Sequence, residues 1–507
     1  MNLRQSMAGL HTWGGLLPSW LLFVIFFAGS IACFDKELER WMRPDLHEPT
    51  GHSLTLDLVR AALLARAPDA HAIWIRPPSE REPFYWAGYE PADESGFVRF
   101  ALDPASGEPM PETVGGLFFF TLHYDLNAGT IGMYIVAVAA MFMLVALVSG
   151  IIIHRRIFKD FFTLRADANG QRAWLDAHNL FGVVGLPFHL VIAYTGLAIF
   201  MSFYMPAGIQ LAYKGNAEAF FNDTMGAYHR EEVKRPAPPA VSLDGLLADA
   251  HRRWGGDETG WISVHHPGDA AAVVDIRRYD RSRIVDFQWT LSYDAVSGEL
   301  LHEQKPYSPG YASYAWLTNL HMAQFGGQAV RALYLLLGLM GCAMLVAGLQ
   351  VWLRKRESRG GHGIGLVRAL NGAVVGGLPI ASLGLLYGNR LLPAGMAERA
   401  ATETWIFVGT WLLVAVWAIL RRNSGKVARD MLLAVAVLGL GLPLLNALVT
   451  PEGSLLATLG RSDWDMAGID LVLLACGALC GVLAWRRSQP QVEKAQRVRR
   501  RLAKESA

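Results

Sequence analysis

The sequence predicts a mainly all-α polytopic membrane protein: a duplicated four-helix bundle, two α+β insertions outside the membrane, and a C-terminal four-helix extension. Three observations predict it. Of 507 residues, 52% are hydrophobic and only 18% charged, with a mean hydropathy of +0.25; a soluble domain carries about 25% charged residues. The charges collect between long stretches that hold almost none. Histidine and glycine recur at matched spacings in two parts of the chain. The composition excludes a soluble globular enzyme and a disordered chain. A net charge of +2 leaves no electrostatic footprint for nucleic acid.

A membrane span needs about 20 mainly apolar residues. Eight segments qualify, near 13–34, 130–153, 180–203, 332–353, 367–387, 404–420, 431–449 and 468–485. Lysine and arginine near span ends set orientation. Half of the 46 Lys and Arg residues fall on one side: Arg4, the cluster Arg155 to Arg172, the cluster Arg354 to Arg368, the cluster Arg421 to Arg429, and the tail after Trp485. Both termini are therefore expected in the cytoplasm, and the short loops point to a bacterial inner membrane. The expected order is a helix in 1–34, an outside domain at 35–120, a helix in 121–160, a helix in 170–203, a second outside domain at 204–320, a helix in 321–356, the extension at 367–487 and a basic tail at 488–507. Four cysteines are too few for a disulfide framework. Cys33, Cys342, Cys476 and Cys480 read as small apolar packers, and Ser-Ile-Ala before Cys33 is a poor lipoprotein cleavage site.

The two insertions resemble one another. Each has a helix-like segment (Ser53 to Val59; Val241 to Leu247) and a strand beginning at tryptophan (Trp74-Ile75; Trp261-Ile262). Each ends in a strand running into Asp-x-x-Ser-Gly-Glu, at Asp103 to Glu108 and Asp294 to Glu299. Asp and Gly there supply a turn. Metal or substrate binding is the alternative, although one carboxylate pair makes no cage.

Repeats decide the case. His11 precedes Gly29 and His178 precedes Gly196 by 18 residues each; His123 precedes Gly150 and His321 precedes Gly348 by 27 each. The unit of helix, outside domain and helix thus occurs twice, at about 1–160 and 170–356. By topology His11 and His178 enter from the cytoplasm, while His123 and His321 stand at the outer ends. A pseudo-two-fold axis along the membrane normal then places one histidine pair at each face of a four-helix bundle, where such folds hold cofactors. Haem iron takes two axial imidazoles and the flat ring needs apolar walls, so haem is the cofactor to which the pairs His11–His178 and His123–His321 point. Gly14, Gly15, Gly182, Gly185, Gly129, Gly132, Gly326 and Gly327 follow these histidines; they admit a porphyrin face or simply allow close helix packing. Zinc lacks a completing cysteine or carboxylate beside either pair. No Cys-x-x-Cys-His is present for a c-type haem.

His189 lies 11 residues after His178 on the same helical face. As an ionisable residue inside a span it is a ligand of a mid-membrane haem, a hydrogen-bond donor or a packed neutral imidazole. His154 ends helix two and is either a ligand or an interfacial residue; the second repeat has Trp352 at that place. Arg331, ten residues past His321, either pairs with a haem propionate or snorkels to the interface. His229, His251, His265, His266 and His302 read as solvated or strand-end residues, with His265-His266 the pair worth testing for metal.

These residues bring a family into view. Leu10-His11-Thr-Trp-Gly-Gly-Leu, Asp176-Ala-His178-Asn-Leu-Phe-Gly, Asn319-Leu-His321 with Gly326-Gly327, and the run from His154-Arg-Arg to Arg165 resemble the PepSY-associated transmembrane family, over about residues 1–356. The outside domains resemble its PepSY modules. The resemblance implies an inner-membrane reductase with two b-type haems that reduces ferric siderophores in the periplasm. It carries over His11, His123, His178 and His321 as ligands, with His154 and His189 matching less well.

The extension at 367–485 contains no histidine and is a scaffold or partner surface, a quinol site or an electron-donor dock. The expected mechanism moves electrons outward, from a donor at the His11–His178 face to the His123–His321 face and on to iron(III) outside, with no catalytic residue beyond the haem ligands. No flavin or nicotinamide fingerprint is present, so the expected donor is quinol or another protein. The rival readings are a haem-free PepSY-type sensor or regulator, and a transporter. Transporters place broken helices and charges at the midplane, whereas the core spans hold almost no acid or lysine.

Overall fold

The computed structural model describes residues 3–46, 53–93, 95–154, 165, 170–256, 259–279, 284, 288–304, 306–357, 363–422 and 426–488. The basic cluster at Arg155, Arg156 and Lys159, most of the motif after His154, and the tail beyond Ser488 lie outside the described residues. In chain order the helices are α1 (Leu3–Ala32), α2 (Asp35–Trp41), α3 (Leu56–Arg66), α4 (Leu117–Tyr124), α5 (Gly129–Ile153), α6 (Gly170–Val184), α7 (Leu186–Ile199), α8 (Met201–Tyr204), α9 (Ala207–Tyr213), α10 (Ala217–Met225) and α11 (Leu243–Trp254). Then come α12 (Pro309–Met322), α13 (Gly327–Glu357), α14 (Ile364–Asn371), α15 (Gly377–Leu391), α16 (Arg399–Leu420), α17 (Val427–Val449), α18 (Leu455–Gly460) and α19 (Trp464–Ser488). A π turn at Gly372–Gly376 joins α14 and α15 into one span.

Seven helices, among them the joined α14–α15 helix, are long and apolar enough to cross a membrane. The third predicted span differs from the expectation: α6 and α7 meet at a bend of 64°. The reason is local. Pro187, at the start of α7, has no N–H for the helical ladder and its ring crowds the preceding turn. His123 and His321 also differ in placement. His123 ends the short α4, and Leu126 and Asn127 then take left-handed φ of 59° and 52° before α5 begins. His321 sits in the last turn of α12, and Ala323 (φ 53°) breaks the chain before α13. His123 and His321 thus each ride on a short helix folded against the end of a span.

The two insertions share one sheet. Its seven strands are β1 (Ala72–Arg76), β2 (Tyr85–Glu90), β3 (Val98–Leu102), β4 (Ile262–His265), β5 (Val273–Tyr279), β6 (Gln288–Asp294) and β7 (Leu300–Glu303), in the order β3-β2-β1-β4-β5-β6-β7, all antiparallel. The β1–β4 pair, with Ala72 opposite His265 and Ile75 opposite Ile262, joins the halves. Leu56, Val59, Leu63, Ile73 and Ile75 from the first insertion share a core with Leu243, Leu246, Ile262, Val264 and Ile276 from the second. The helices α3 and α11 cap one another. Asp57 accepts the Leu243 amide at 2.9 Å and the Ser242 hydroxyl at 2.5 Å. Asp244 accepts the Leu56 and Asp57 amides at 3.1 Å each. A carboxylate at a helix N-terminus satisfies orphan amides and complements the dipole.

Both Asp-x-x-Ser-Gly-Glu segments are turns. Asp103 Oδ1 accepts the Ala105 and Ser106 amides at 3.0 and 2.8 Å, and Asp294 Oδ1 those of Val296 and Ser297 at 2.9 and 2.8 Å. Beneath the sheet, Leu22, Phe23, Phe26, Met143, Leu147, Met344 and Leu345 fill the core of the helical bundle.

Candidate functional site

The four repeat histidines meet in two pairs. His11 and His178 have ring centroids 6.1 Å apart, and His123 and His321 are 5.9 Å apart. The pairs lie at opposite ends of the bundle: His11 is near the start of α1, and the His123 ring rests on Gly29, 18 residues further along that helix. At 1.5 Å per residue this is about 27 Å of helix.

One local device seats all four rings. The His11 ring lies against Gly150, His123 against Gly29, His178 against Gly348 and His321 against Gly196. The repeated glycines are therefore the seats of the neighbouring helices' histidines. An added Cβ would approach a ring atom to 2.6 Å at Gly29, 2.9 Å at Gly196, 3.1 Å at Gly348 and 3.3 Å at Gly150. With the Cβ missing, each imidazole reaches the carbonyl four residues before its glycine. His11 Nδ1 meets Ala146 O at 2.9 Å, His123 Nδ1 meets Ile25 O at 2.8 Å and His178 Nδ1 meets Met344 O at 2.9 Å. His321 reaches the Ile192 carbonyl, and its Nδ1 lies 3.0 Å from the Thr195 hydroxyl. Ser149 Oγ is likewise 3.2 Å from His11 Nδ1. Since the carbonyls can only accept, each Nδ1 facing one carries the proton, which leaves Nε2 with a free lone pair. That tautomer is the one a metal-ligating histidine needs.

Each pair could hold one metal ion between its two imidazoles. With metal–nitrogen bonds of about 2 Å and about 1 Å more from nitrogen to ring centre, two imidazoles on opposite sides of one metal have centroids about 6 Å apart. Gly15 and Gly182 stand one helical turn beyond His11 and His178; an added Cβ at Gly15 would meet nothing within 4 Å, and one at Gly182 would only touch Met344. The other glycines serve differently: Gly129, Gly326 and Gly327 hold left-handed turns, and Gly132 packs on the Asp125 carbonyl. No group of three or more His, Cys, Asp or Glu side chains among the described residues forms a metal cage. The donor set is thus imidazole pairs, which would suit a haem better than a bare ion.

The remaining histidines and Arg331 stand apart from the pairs. His189 is fully buried beside Phe26 and Phe188, in a slot made by Gly185 and Gly341. Neither of its ring nitrogens has a hydrogen bond of normal geometry among the described residues. His154 is the C-cap of α5, where its amide bonds the Gly150 carbonyl at 3.1 Å. Arg331 lies 3.6 Å from Glu37 and over the Phe34 ring. Glu37 also takes both arms of Arg81 at 2.7 Å; burial opposes its ionisation, but the Arg81 guanidinium holds its carboxyl below the usual range. His265 pairs with Asp275 at 3.4 Å, and the His266 ring packs edge-on against His71.

A family model described as the PepSY-associated TM region matches residues 8–355. The chain belongs to that family. All six bundle histidines and Arg331 fall within the PepSY-associated region, and the extension falls outside it. An uncharacterized protein of Pseudomonas aeruginosa, PA4219, is 29% identical over 382 residues, covering 73% of this chain and 94% of the relative.

Sequence spacing found the histidines and their glycines. It did not reveal that each glycine seats a histidine from the other helix of its own half. The matched distances, 18 one way and 27 the other, were the signal: each span, with the short helix joined to it, carries a histidine at one end and a seat at the other.

Proposed function

We propose that this membrane protein is a dihaem electron conduit and ferric-siderophore reductase of the bacterial inner membrane. The observation that carries the reading is the pair of histidine pairs: two imidazoles about one metal's width apart at each end of the bundle, every ring oriented by a backbone carbonyl. His11 and His178 would hold one haem b toward the cytoplasm, and His123 and His321 a second toward the periplasm. Bound there, the haems supply reversible one-electron chemistry at iron. The chain's own residues supply the rest. The carbonyls of Ala146, Ile25, Met344 and Ile192 fix the tautomer and raise the basicity of the ligands. The apolar core of Leu22, Phe23, Phe26, Leu147 and Leu345 excludes water between the sites. The shared sheet stands over the outer site as the surface on which a ferric chelate would be received. Iron(III) in the chelate gains one electron and becomes iron(II), which hard oxygen donors hold more weakly, so the metal is released with the chelator intact. Quinol or a partner protein is the proposed electron source.

The test is an absorbance spectrum of the purified protein before and after dithionite. Low-spin Soret and α bands are expected, reduced in amplitude by His178→Ala or His321→Ala and reoxidised by a ferric siderophore. A haem-free protein from cells supplied with iron and haem precursor would overturn the reading and bring a peptide-sensing role forward.

A further inference from the structure

The C-terminal spans carry a buried polar cluster that the proposed electron path does not use. Glu403 of α16 is 0% exposed, and Arg399, Arg390, Asn389 and Asn446 are at most 4% exposed. Such groups are costly inside a membrane bundle unless every charge is paired and bonded, and here the bonds of Glu403, Arg399 and Asn389 lead to one place. Glu403 Oε2 accepts the Thr113 hydroxyl at 2.8 Å and the Val114 amide at 2.9 Å. Arg399 pairs with Glu403 at 3.0 Å and donates to the Glu112 carbonyl at 2.8 Å. Asn389 donates to Glu403 at 2.9 Å, to Thr113 at 3.2 Å and to the Met42 carbonyl at 3.0 Å. Arg390 lies over the Trp41 ring at 3.5 Å and bonds Asn446 at 2.7 Å.

Residues 112–116 are the strap that descends from the sheet into α4, and α4 carries His123. From the other side Arg43 donates to the Pro111 carbonyl at 2.8 Å, and Glu39 accepts the Gly116 amide at 3.0 Å. In the first turn of α4, Phe118 packs edge-on against Phe407 of α16 at 4.8 Å. The equivalent helix of the second half, α12, is fixed to the bundle itself, through Tyr314 and the Ile199 carbonyl at 3.0 Å.

We infer that the C-terminal extension is a positioning brace for the outer histidine pair, acting through Glu403 and Arg399 on the 112–116 strap and so on His123. The inference rests on the dihaem reading for its functional meaning; the mechanical claim stands without it. Glu403 and Arg399 are positioning residues: they touch neither the imidazoles nor any substrate.

The experiment compares full-length wild type with Glu403→Ala, Glu403→Gln and Thr113→Val, by hydrogen–deuterium exchange and by redox titration of the two low-spin haem signals. The outer signal is identified as the one lost in His321→Ala. Exchange at 112–124 is expected to accelerate about tenfold to a hundredfold in Glu403→Ala, the size of a lost hydrogen bond to a buried charge, and less in Glu403→Gln, whose amide oxygen still accepts from Val114. The outer haem signal should shift or lose occupancy while the inner one stays unchanged. Unchanged exchange at 112–124, or equal changes at both haems and throughout the chain, would overturn the brace. If Glu403→Ala fails to fold, Glu403→Gln and Thr113→Val carry the same comparison. A wild type without haem would sink the dihaem reading, and the exchange data would still decide for or against the brace.

Discussion

The ring of His123 lies so close to Gly29 that an added Cβ would stand 2.6 Å from Nδ1. The same approach, at graded distances, recurs at all four seats. The grading predicts an order of damage. Alanine at Gly29 or Gly196 must displace its imidazole, because contacts under 3.0 Å have no counterpart in packed proteins; alanine at Gly150, at 3.3 Å, asks only a small shift. Haem content of purified variants should therefore fall most for Gly29→Ala, then Gly196→Ala, then Gly348→Ala, and least for Gly150→Ala. An order in which Gly150→Ala is the most damaging would refute the seat.

Opposite-end placement predicts separable losses. His11→Ala should abolish one low-spin signal and leave the His123–His321 site filled, and His123→Ala should do the reverse. Electron paramagnetic resonance of the two single variants distinguishes the sites. Complementary spectra are expected, summing to that of the wild type.

Thr195 offers a subtler test. Its hydroxyl already donates to the Val191 carbonyl at 2.7 Å, so at His321 Nδ1 it acts as the acceptor. Removing it in Thr195→Val makes the imidazole a poorer donor to a ferric centre. The midpoint potential of the outer site should rise by about 30–60 mV, the equivalent of about 0.7–1.4 kcal/mol for a one-electron couple. Redox titration measures it; a fall in potential would contradict the assigned hydrogen-bond direction.

Acid should loosen the shared sheet. Desolvation of Asp57 opposes its ionisation, but the Ser242 hydroxyl and Leu243 amide outweigh it and hold the carboxyl below its ordinary value. Partial burial of Asp294 is likewise outweighed by Arg230 and by the Ser297 and Val296 amides, and its value falls to about 2. A depressed carboxylate stabilises the fold above its unfolded value of about 3.9 and loses that contribution as pH falls through the folded value. Exchange protection of α3 and α11 should hold from pH 7 to about 4 and decline toward pH 2. Asp57→Ala should flatten that decline and cost about 0.5–2 kcal/mol at neutral pH, as a lost helix cap does.

Much of this architecture is legible in the sequence because it rests on counts. Span number follows from apolar length. The twofold plan follows from the 18- and 27-residue spacings, which survive insertions of different size because each lies within or beside a single span. The turns at Asp103 and Asp294 follow from side chains bonding their own backbone. The bend at Pro187 was visible as a residue type, but its 64° depends on what packs against it.

What the sequence determined by itself was therefore local and periodic: which residues are helical and which histidines correspond. The tertiary structure decided which atoms meet. No spacing rule could say that Gly29 seats His123, that Asp57 caps the helix of the other insertion, that β1 pairs with β4 with Ile75 opposite Ile262, or that Glu403 holds a strap 290 residues away. Those contacts join groups distant in the chain. Their free energy comes from excluding water and matching donors to acceptors, which depends on three-dimensional approach and leaves no period in the sequence.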